Sequence, residues 1–318
     1  MKALDVMRHA VRLGQPFDLA ADDVRSRRRA ASVVTRSLAH YVALTKPRLN
    51  VLVVASSAAG YYLGARAPID VVDMAQTVAG TALVAAGAAA LNQFAERDTD
   101  AMMRRTQTRP LPGGDLTPSD AVAFGLVLSA AGLAVLALTV TMLTAALAFA
   151  TLAVYLGVYT PMKRRTPWAA LVGAVPGALP PVIGWSASQG DIGAGGAALF
   201  AIVFFWQIPH FMAIAWLYRD DYGKAGLPML PVLDPDGHRT GRTAVVYAVA
   251  LVPVSLFPWL SGMTGPWYAA AGVTLGVGFI WLAVRFATVR NNVAARALFL
   301  GSIVYLPILW IVMIVNRS

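Results

Sequence analysis

DMAQTVAGTALVAAGAAALNQFAERDTD (73–100) runs from a long apolar stretch straight into a knot of charges. Residues 73–93 carry one charged side chain, Asp73. As a helix this stretch has the roughly 20 residues needed to cross about 30 Å of bilayer hydrocarbon. Glu96, Asp98 and Asp100 follow at once, and Glu96 is the sole glutamate of the chain. Asn92, Glu96 and Asp100 are each four residues apart, so a helix carries all three on one face, with Asp98 about half a turn away. A membrane helix that ends in stacked acids is the pattern to explain.

Apolar stretches recur near residues 49–66, 119–138, 141–159, 168–187, 195–217, 243–260, 267–284 and 297–315, giving nine candidate spans with 73–93. The chain of 318 residues is 58% hydrophobic and 13% charged, with mean hydropathy +0.62. A soluble domain carries about 25% charged residues. Lipid is therefore the solvent for most of it, and in lipid a helix satisfies its own backbone. The expected fold is an all-α membrane protein, a nine-transmembrane-helix bundle over 41–318. A tight turn near Thr139–Thr141 must separate spans three and four. There are no cysteines, which excludes disulfides, thiolate metal sites and a cysteine nucleophile.

The net charge of +10 is topological and implies no nucleic acid. With the N-terminus inside, 24 of the 26 Lys and Arg fall on the cytoplasmic side, leaving only Arg66 and Arg317 outside. That bias follows the positive-inside rule. It puts the N-terminus in the cytoplasm, the C-terminus outside and the acids after span two at the cytoplasmic face of a cell (inner) membrane. Residues 1–40 lack the apolar core of a signal peptide. They are expected to form a mobile cytosolic tail whose basic run Arg25, Arg27, Arg28, Arg29 meets anionic lipid, with a short amphipathic helix near 4–13. Span five holds Pro176, Pro180 and Pro181 among glycines; such a helix either packs tightly or lines a cavity. Gly272 and Gly276 at GxxxG spacing suit close packing.

Acids stacked at a membrane edge repel one another, so positive charge is expected among them. Oxygen donors plus an amide carbonyl suit Mg²⁺, which commonly binds a phosphate as well. Arg104, Arg105 and Arg109 just beyond are fit to hold anionic oxygens. A second acidic segment, YRDDYGKAGLPMLP (218–231), falls at the same face, with Asp220 and Asp221 near Tyr218, Tyr222 and Lys224. Two such acidic ends make a cradle for a metal-bound diphosphate. YTPMKRRTP (159–167) adds Lys163, Arg164 and Arg165. A charged loop paired within itself is the plainer alternative for each of these segments. No GxxxxGK[ST], HExxH or GxSxG occurs. Of four histidines, His9, His40 and His238 read as solvated, and His210 in WQIPHF reads as a packed side chain or a substrate contact. Intramembrane acids with broken helices also describe secondary transporters, though here the acids sit at one face and no inverted repeat is visible.

Asn92-x-x-x-Glu96-x-x-x-Asp100 resembles the first aspartate-rich motif of the UbiA-type intramembrane prenyltransferases. LTKPR (44–48), MRRTQTRPLP (103–112), YTPMKRRTP followed by GAVPGALPPVIGW (173–185), and WQIPHFMAIAWLYRDDYGKAGLPMLP (206–231) resemble the protoheme IX farnesyltransferase (heme O synthase) branch of that family. The resemblance implies transfer of a farnesyl group from farnesyl diphosphate to a vinyl group of heme b, with water addition, giving heme o. Heme would be substrate and Mg²⁺ the cofactor, with the lipid bilayer as medium and heme-handling or oxidase-assembly proteins as partners. Carried over to this chain, Asn92, Glu96, Asp100 and Asp221 are catalytic. Asn92, Glu96, Asp98, Asp100, Asp220 and Asp221 hold metal. Lys46, Arg105, Arg109, Lys163, Arg164, His210, Tyr218 and Lys224 bind diphosphate or heme propionate. Glu96 stands where the family usually has aspartate, and Leu217 replaces the first acid of a DxxxD ending at Asp221, which leaves the number of metal ions open. A quinone-precursor acceptor is the nearest alternative.

Overall fold

Backbone groups in hydrocarbon must find partners within their own segment, and the described residues form helices and no named strand. The structure is a computed structural model and describes residues 38–318. The basic run at 25–29 and the expected helix near 4–13 lie outside the described residues. The long helices are α1 (Pro47–Gly64), α2 (Val71–Ala101), α3 (Pro118–Val135), α4 (Met142–Ala153), α5 (Ala169–Gln189), α6 (Gly193–Leu217), α7 (His238–Leu260), α8 (Pro266–Val289) and α9 (Asn292–Val315). A π-helical turn, Leu136–Val140, extends α3, and another, Val154–Tyr159, extends α4 into Thr160–Met162. Two short helices, Arg219–Lys224 and Leu230–Leu233, lie between α6 and α7.

With their π-helical extensions, α2 to α9 are eight helices long and apolar enough to cross a membrane among the described residues. α1 has 18 residues, enough for about 27 Å, but Arg48, Asn50, Ser56, Ser57, Tyr61 and Tyr62 dilute its apolar character. α3 and α4 part at Thr141, whose backbone is extended (φ −145°, ψ 153°) and whose Oγ1 accepts from the Thr144 amide at 3.1 Å. That is the turn expected there. α2 outruns the apolar stretch that foretold it and continues to Ala101. Its N-cap Asp70 accepts from the Val72 and Asp73 amides at 2.9 and 3.0 Å, and its charged last turns are held by partners on other helices.

Small residues set the helix separations. Gly87 of α2 faces the Gly125 carbonyl and Ser129 of α3, and Gly132 of α3 returns the contact at Gly80 and Val84. Gly276 of α8 meets Val252 of α7. The closest approach joins α1 to α5: a Cβ on Gly60 would run into the Pro181 carbonyl, and one on Gly184 into the Ser57 carbonyl. Proline in a helix deprives the carbonyl four residues back of its donor, yet α5 stays continuous through Pro176, Pro180 and Pro181. Its face toward α1 packs, while Gly173, Pro176, Gly177 and Pro180 line a cavity. Both expectations for this helix hold, on different faces. At the far end of the bundle Arg317 Nη1 donates to the Tyr62 carbonyl at 2.5 Å and Nη2 to the Ala65 carbonyl.

Gly184→Leu leaves no side chain free to yield, because backbone faces it. Overpacking of this kind costs about 1–3 kcal/mol or more. The expected outcome is a lower melting temperature of the purified protein in detergent, with Gly157→Leu, which faces open space, as the matched control.

Candidate active site

The acidic end of α2 is met by cations from three other segments. Glu96 Oε1 accepts from Lys163 Nζ at 2.9 Å, just past α4. Asp100 Oδ2 accepts from Arg109 Nη1 at 2.6 Å, in the loop after α2. Asn92 Oδ1 accepts from Lys46 Nζ at 3.3 Å, just before α1, and Asn92 Nδ2 donates to Thr160 Oγ1 at 3.2 Å. Arg164 Nη2 donates to the Ala95 carbonyl at 3.0 Å. The expected face is therefore real: Asn92, Glu96 and Asp100 are all buried, and basic residues line up along it. Like charges spaced one turn apart are tolerable here because each acid has its own counterion.

Local backbone aims these groups. Lys46 adopts the left-handed conformation (φ 48°, ψ 57°), which costs a non-glycine residue about 1–2 kcal/mol and turns its side chain toward α2. Burial pushes the Lys46 ammonium down to about 8, with the nearby Arg109 guanidinium adding to the effect and Glu96 and Asp100 opposing it. Burial also disfavours the Lys163 charge, but Tyr159 and Glu96 beside it outweigh burial and hold it above the ordinary lysine range. Gln93 Nε2 donates to the Leu44 carbonyl at 2.8 Å, which fixes the segment before α1 against α2.

Behind this polar rim lies a cavity of about 390 Å³ between α1, α2, α4, α5, α6 and α9. Lys46 and Tyr159 belong to its lining, as do Tyr155, Gln207 and Trp206. The rest is mostly aliphatic and aromatic, fit for an isoprenoid tail. Tyr155 and Tyr159 stack with ring centroids 5.5 Å apart. These tyrosines, Gln207 and Thr160 were not among the expected site residues. Tyr159 and Thr160 open the YTPMKRRTP segment and Gln207 lies in WQIPHF, so the signal was there.

The second acidic segment is tied in by cation–π contact. Arg105 lies over the Tyr218 ring at 4.8 Å, and its Nη2 donates to Tyr222 Oη at 3.5 Å. Asp221 is half-buried; Asp220 and Lys224 are exposed. No hydrogen bond or ion pair joins Asp220 or Asp221 to the α2 acids among the described residues. Asp98 is 75% exposed and pairs with Arg97 at 3.5 Å, off the shared face. His210 is a packed side chain: its Nδ1 lies 2.7 Å from Ser302 Oγ, and it stacks on Trp206 at 5.0 Å beside Phe299.

Among the described residues no three His, Cys, Asp or Glu side chains converge on one point. A hard cation nonetheless finds oxygen donors along α2. Asp100 Oδ1 is buried with no hydrogen-bond partner, Glu96 gives only one oxygen to Lys163, and Asn92 offers an amide oxygen. Such a set matches a cation that keeps other ligands from a phosphate or water.

Residues 53–309 match the model of the UbiA prenyltransferase family. The protoheme IX farnesyltransferase of Solibacter usitatus (strain Ellin6076) is 46% identical over 286 residues, covering 87% of this chain and 98% of that protein. In three dimensions the chain is similar to a digeranylgeranylglyceryl phosphate synthase (TM-score 0.75, 18% identity, 88% of this chain and 98% of that one). It is also similar to a UbiA homologue from Archaeoglobus fulgidus bound to GPP and Mg²⁺ (TM-score 0.63, 17% identity, 86% and 99%). A buried acidic helix face, matched by basic residues at the rim of an apolar cavity, thus sits on a shared fold and a shared sequence: the chain belongs to the UbiA prenyltransferase family.

Proposed function

We propose that this protein transfers a farnesyl group from farnesyl diphosphate to a vinyl group of heme b, with water addition, giving heme o and diphosphate. The observation that carries this is the row Asn92, Glu96, Asp100 facing Lys46, Lys163 and Arg109 at the rim of the apolar cavity, in a chain so similar to a protoheme IX farnesyltransferase. The diphosphate lies at the rim and the isoprenoid tail in the cavity. Asn92, Glu96 and Asp100 would hold Mg²⁺, which would supply charge neutralisation to the diphosphate. Asp221 stands by as a further donor across Arg105. On the same reading α1 is a ninth span, the N-terminus is cytoplasmic, the C-terminus is outside, and the acidic end faces the cytoplasm of the inner membrane. The lopsided distribution of Lys and Arg supports that orientation.

The chain's own residues act on charge and water. As the C1–O bond of farnesyl diphosphate breaks, the diphosphate leaves with the electron pair, and Lys46, Lys163 and Arg109 take up its negative charge. The apolar walls keep water from the allylic cation, and the stacked Tyr155 and Tyr159 offer it aromatic faces. The heme vinyl group donates its π electrons to C1. The resulting cation beside the macrocycle adds water and releases a proton. No protein nucleophile is needed.

Purified protein given heme b, farnesyl diphosphate and Mg²⁺ is expected to yield heme o by mass spectrometry; unchanged heme alongside a prenylated phenolic acid points instead to a quinone-precursor acceptor. Glu96→Gln and Asp100→Asn are expected to lower turnover by about 10²–10³-fold. Removing one member of a buried ion pair also costs about 3–5 kcal/mol. The double variant Glu96→Gln/Lys163→Met should therefore regain thermal stability over Glu96→Gln while staying inactive. Chelation by EDTA should stop product formation and Mg²⁺ restore it.

A further inference from the structure

A second cavity, of about 310 Å³, opens beside the site between the α4–α5 connection, α6 and α7. Trp168, Ile208, Met212 and Tyr247 supply apolar walls, and Arg239 and Arg242 stand at its edge. Both arginines are exposed, and neither has an ion-pair partner among the described residues. They occupy the first two turns of α7, three residues apart on one face, near the helix end where the macrodipole disfavours positive charge. Neighbouring acids do not answer them. Asp234 is buried and accepts from the Thr240 amide and Thr240 Oγ1, both at 2.8 Å, and Asp236 makes no ion pair with either. The groove therefore presents two unneutralised guanidinium groups beside an apolar, partly aromatic surface.

This groove adjoins deeper hollows. Pro167, Ala170, Met212 and Leu230 line it and also a smaller chamber of about 80 Å³, whose other walls carry Tyr159, Lys163 and Tyr222. Tyr159 and Phe211 of that chamber line the central cavity in turn. Groove, chamber and cavity thus adjoin one another through shared walls, and Lys163, the partner of Glu96, lines the middle one.

We propose that the groove seats the heme acceptor, with its two propionates on Arg239 and Arg242 and its vinyl edge in the chamber beside Lys163. This rests on the farnesyl-to-heme reading above. Heme is flat and apolar across its faces and carries its two propionates on the side opposite its vinyl groups. Two guanidiniums match two carboxylates, Trp168 and Tyr247 offer aromatic surface to the macrocycle, and the chamber brings the far edge to the diphosphate. An anionic phospholipid shares the pairing of an acidic head with an apolar body. The adjoining chamber lined by Lys163 favours heme, because a lipid that only coats the bundle has no use for one.

The test uses the full chain in vesicles, comparing wild type with Arg239→Met/Arg242→Met and Arg239→Lys/Arg242→Lys. Heme binding is read by Soret titration and turnover by heme o formation. For the methionine pair the KM and Kd for heme should rise about tenfold, the sum of two exposed carboxylate contacts, with the KM for farnesyl diphosphate unchanged. The lysine pair should recover much of the loss. Heme dimethyl ester, lacking both charges, should bind wild type and methionine pair alike. Unaltered heme affinity in the methionine pair overturns the proposal, as does an equal loss of affinity for the ester. It is also overturned if removing anionic lipid reproduces the defect in wild type and leaves the variant indifferent, since the groove is then a lipid site. Wild type that binds heme through these arginines but makes no heme o refutes the farnesylation reading and not the groove.

Discussion

Charge that must stay charged at the edge of hydrocarbon organises this molecule. A carboxylate deprived of water costs several kcal/mol unless a cation and hydrogen bonds replace its hydration. α2 brings Glu96 and Asp100 to such a place, and each recruits a cation from elsewhere in the chain: Lys163 after α4 and Arg109 after α2. Lys46, before α1, reaches the neighbouring Asn92. These contacts fasten the ends of α1, α2 and α4 to one another. On the function proposed, the same groups that make the bundle end stable also receive a polyanion: a diphosphate takes over the cations, and a metal ion would take over the carboxylates.

The remainder of the bundle holds that rim over an apolar hollow. α5 does so with two faces of different character. Glycine and proline let its backbone touch α1 through Gly60 and Gly184, while Pro176, Gly177 and Pro180 form the cavity wall. Bulky side chains from α6 and α9 close the other side: Trp206 donates its Nε1 hydrogen to the Ser302 carbonyl at 2.9 Å, which fixes the ring at the cavity edge. His210, stacked beneath Trp206 and bonded to Ser302, belongs to that bracing.

Hydropathy made the long helices legible, because in lipid the length and apolarity of a segment nearly determine its structure. α1 sits at the limit of that signal: its apolar residues are interrupted by polar ones that find partners, such as Tyr61, whose hydroxyl donates to Asp73 Oδ2 at 2.8 Å. Hydropathy alone ends α2 near residue 93, since its last turns depend on Lys163 and Lys46, which are remote in sequence; the four-residue spacing of Asn92, Glu96 and Asp100 carries the helix on. The acidic face itself was legible from periodicity. Its counterions are a need the sequence implies, and Lys163, Arg109 and Lys46 meet it in the structure. Tyr155 and Tyr159 escaped notice because hydropathy counts tyrosine as filler for a span. Arg239 and Arg242 escaped because a basic loop on the positive side of a membrane protein excites no question until its surroundings are seen.

The π-helical turn Val154–Tyr159 carries a consequence of its own. Relative to an α-helix it inserts one extra residue, and each residue advances a helix by about 100°. α4 therefore changes angular phase partway along. Before the turn, Thr144 meets Ser186 of α5, their hydroxyl oxygens 3.4 Å apart. After it, Thr160 and Lys163 meet Asn92 and Glu96 of α2. One rod thus keeps two appointments that a uniform pitch would make incompatible. Regular α-helical pitch through all six residues of 154–159 would swing Lys163 away from Glu96 by about 100° while leaving every side chain of the ion pair in the sequence. What is stored in that turn is a rotation.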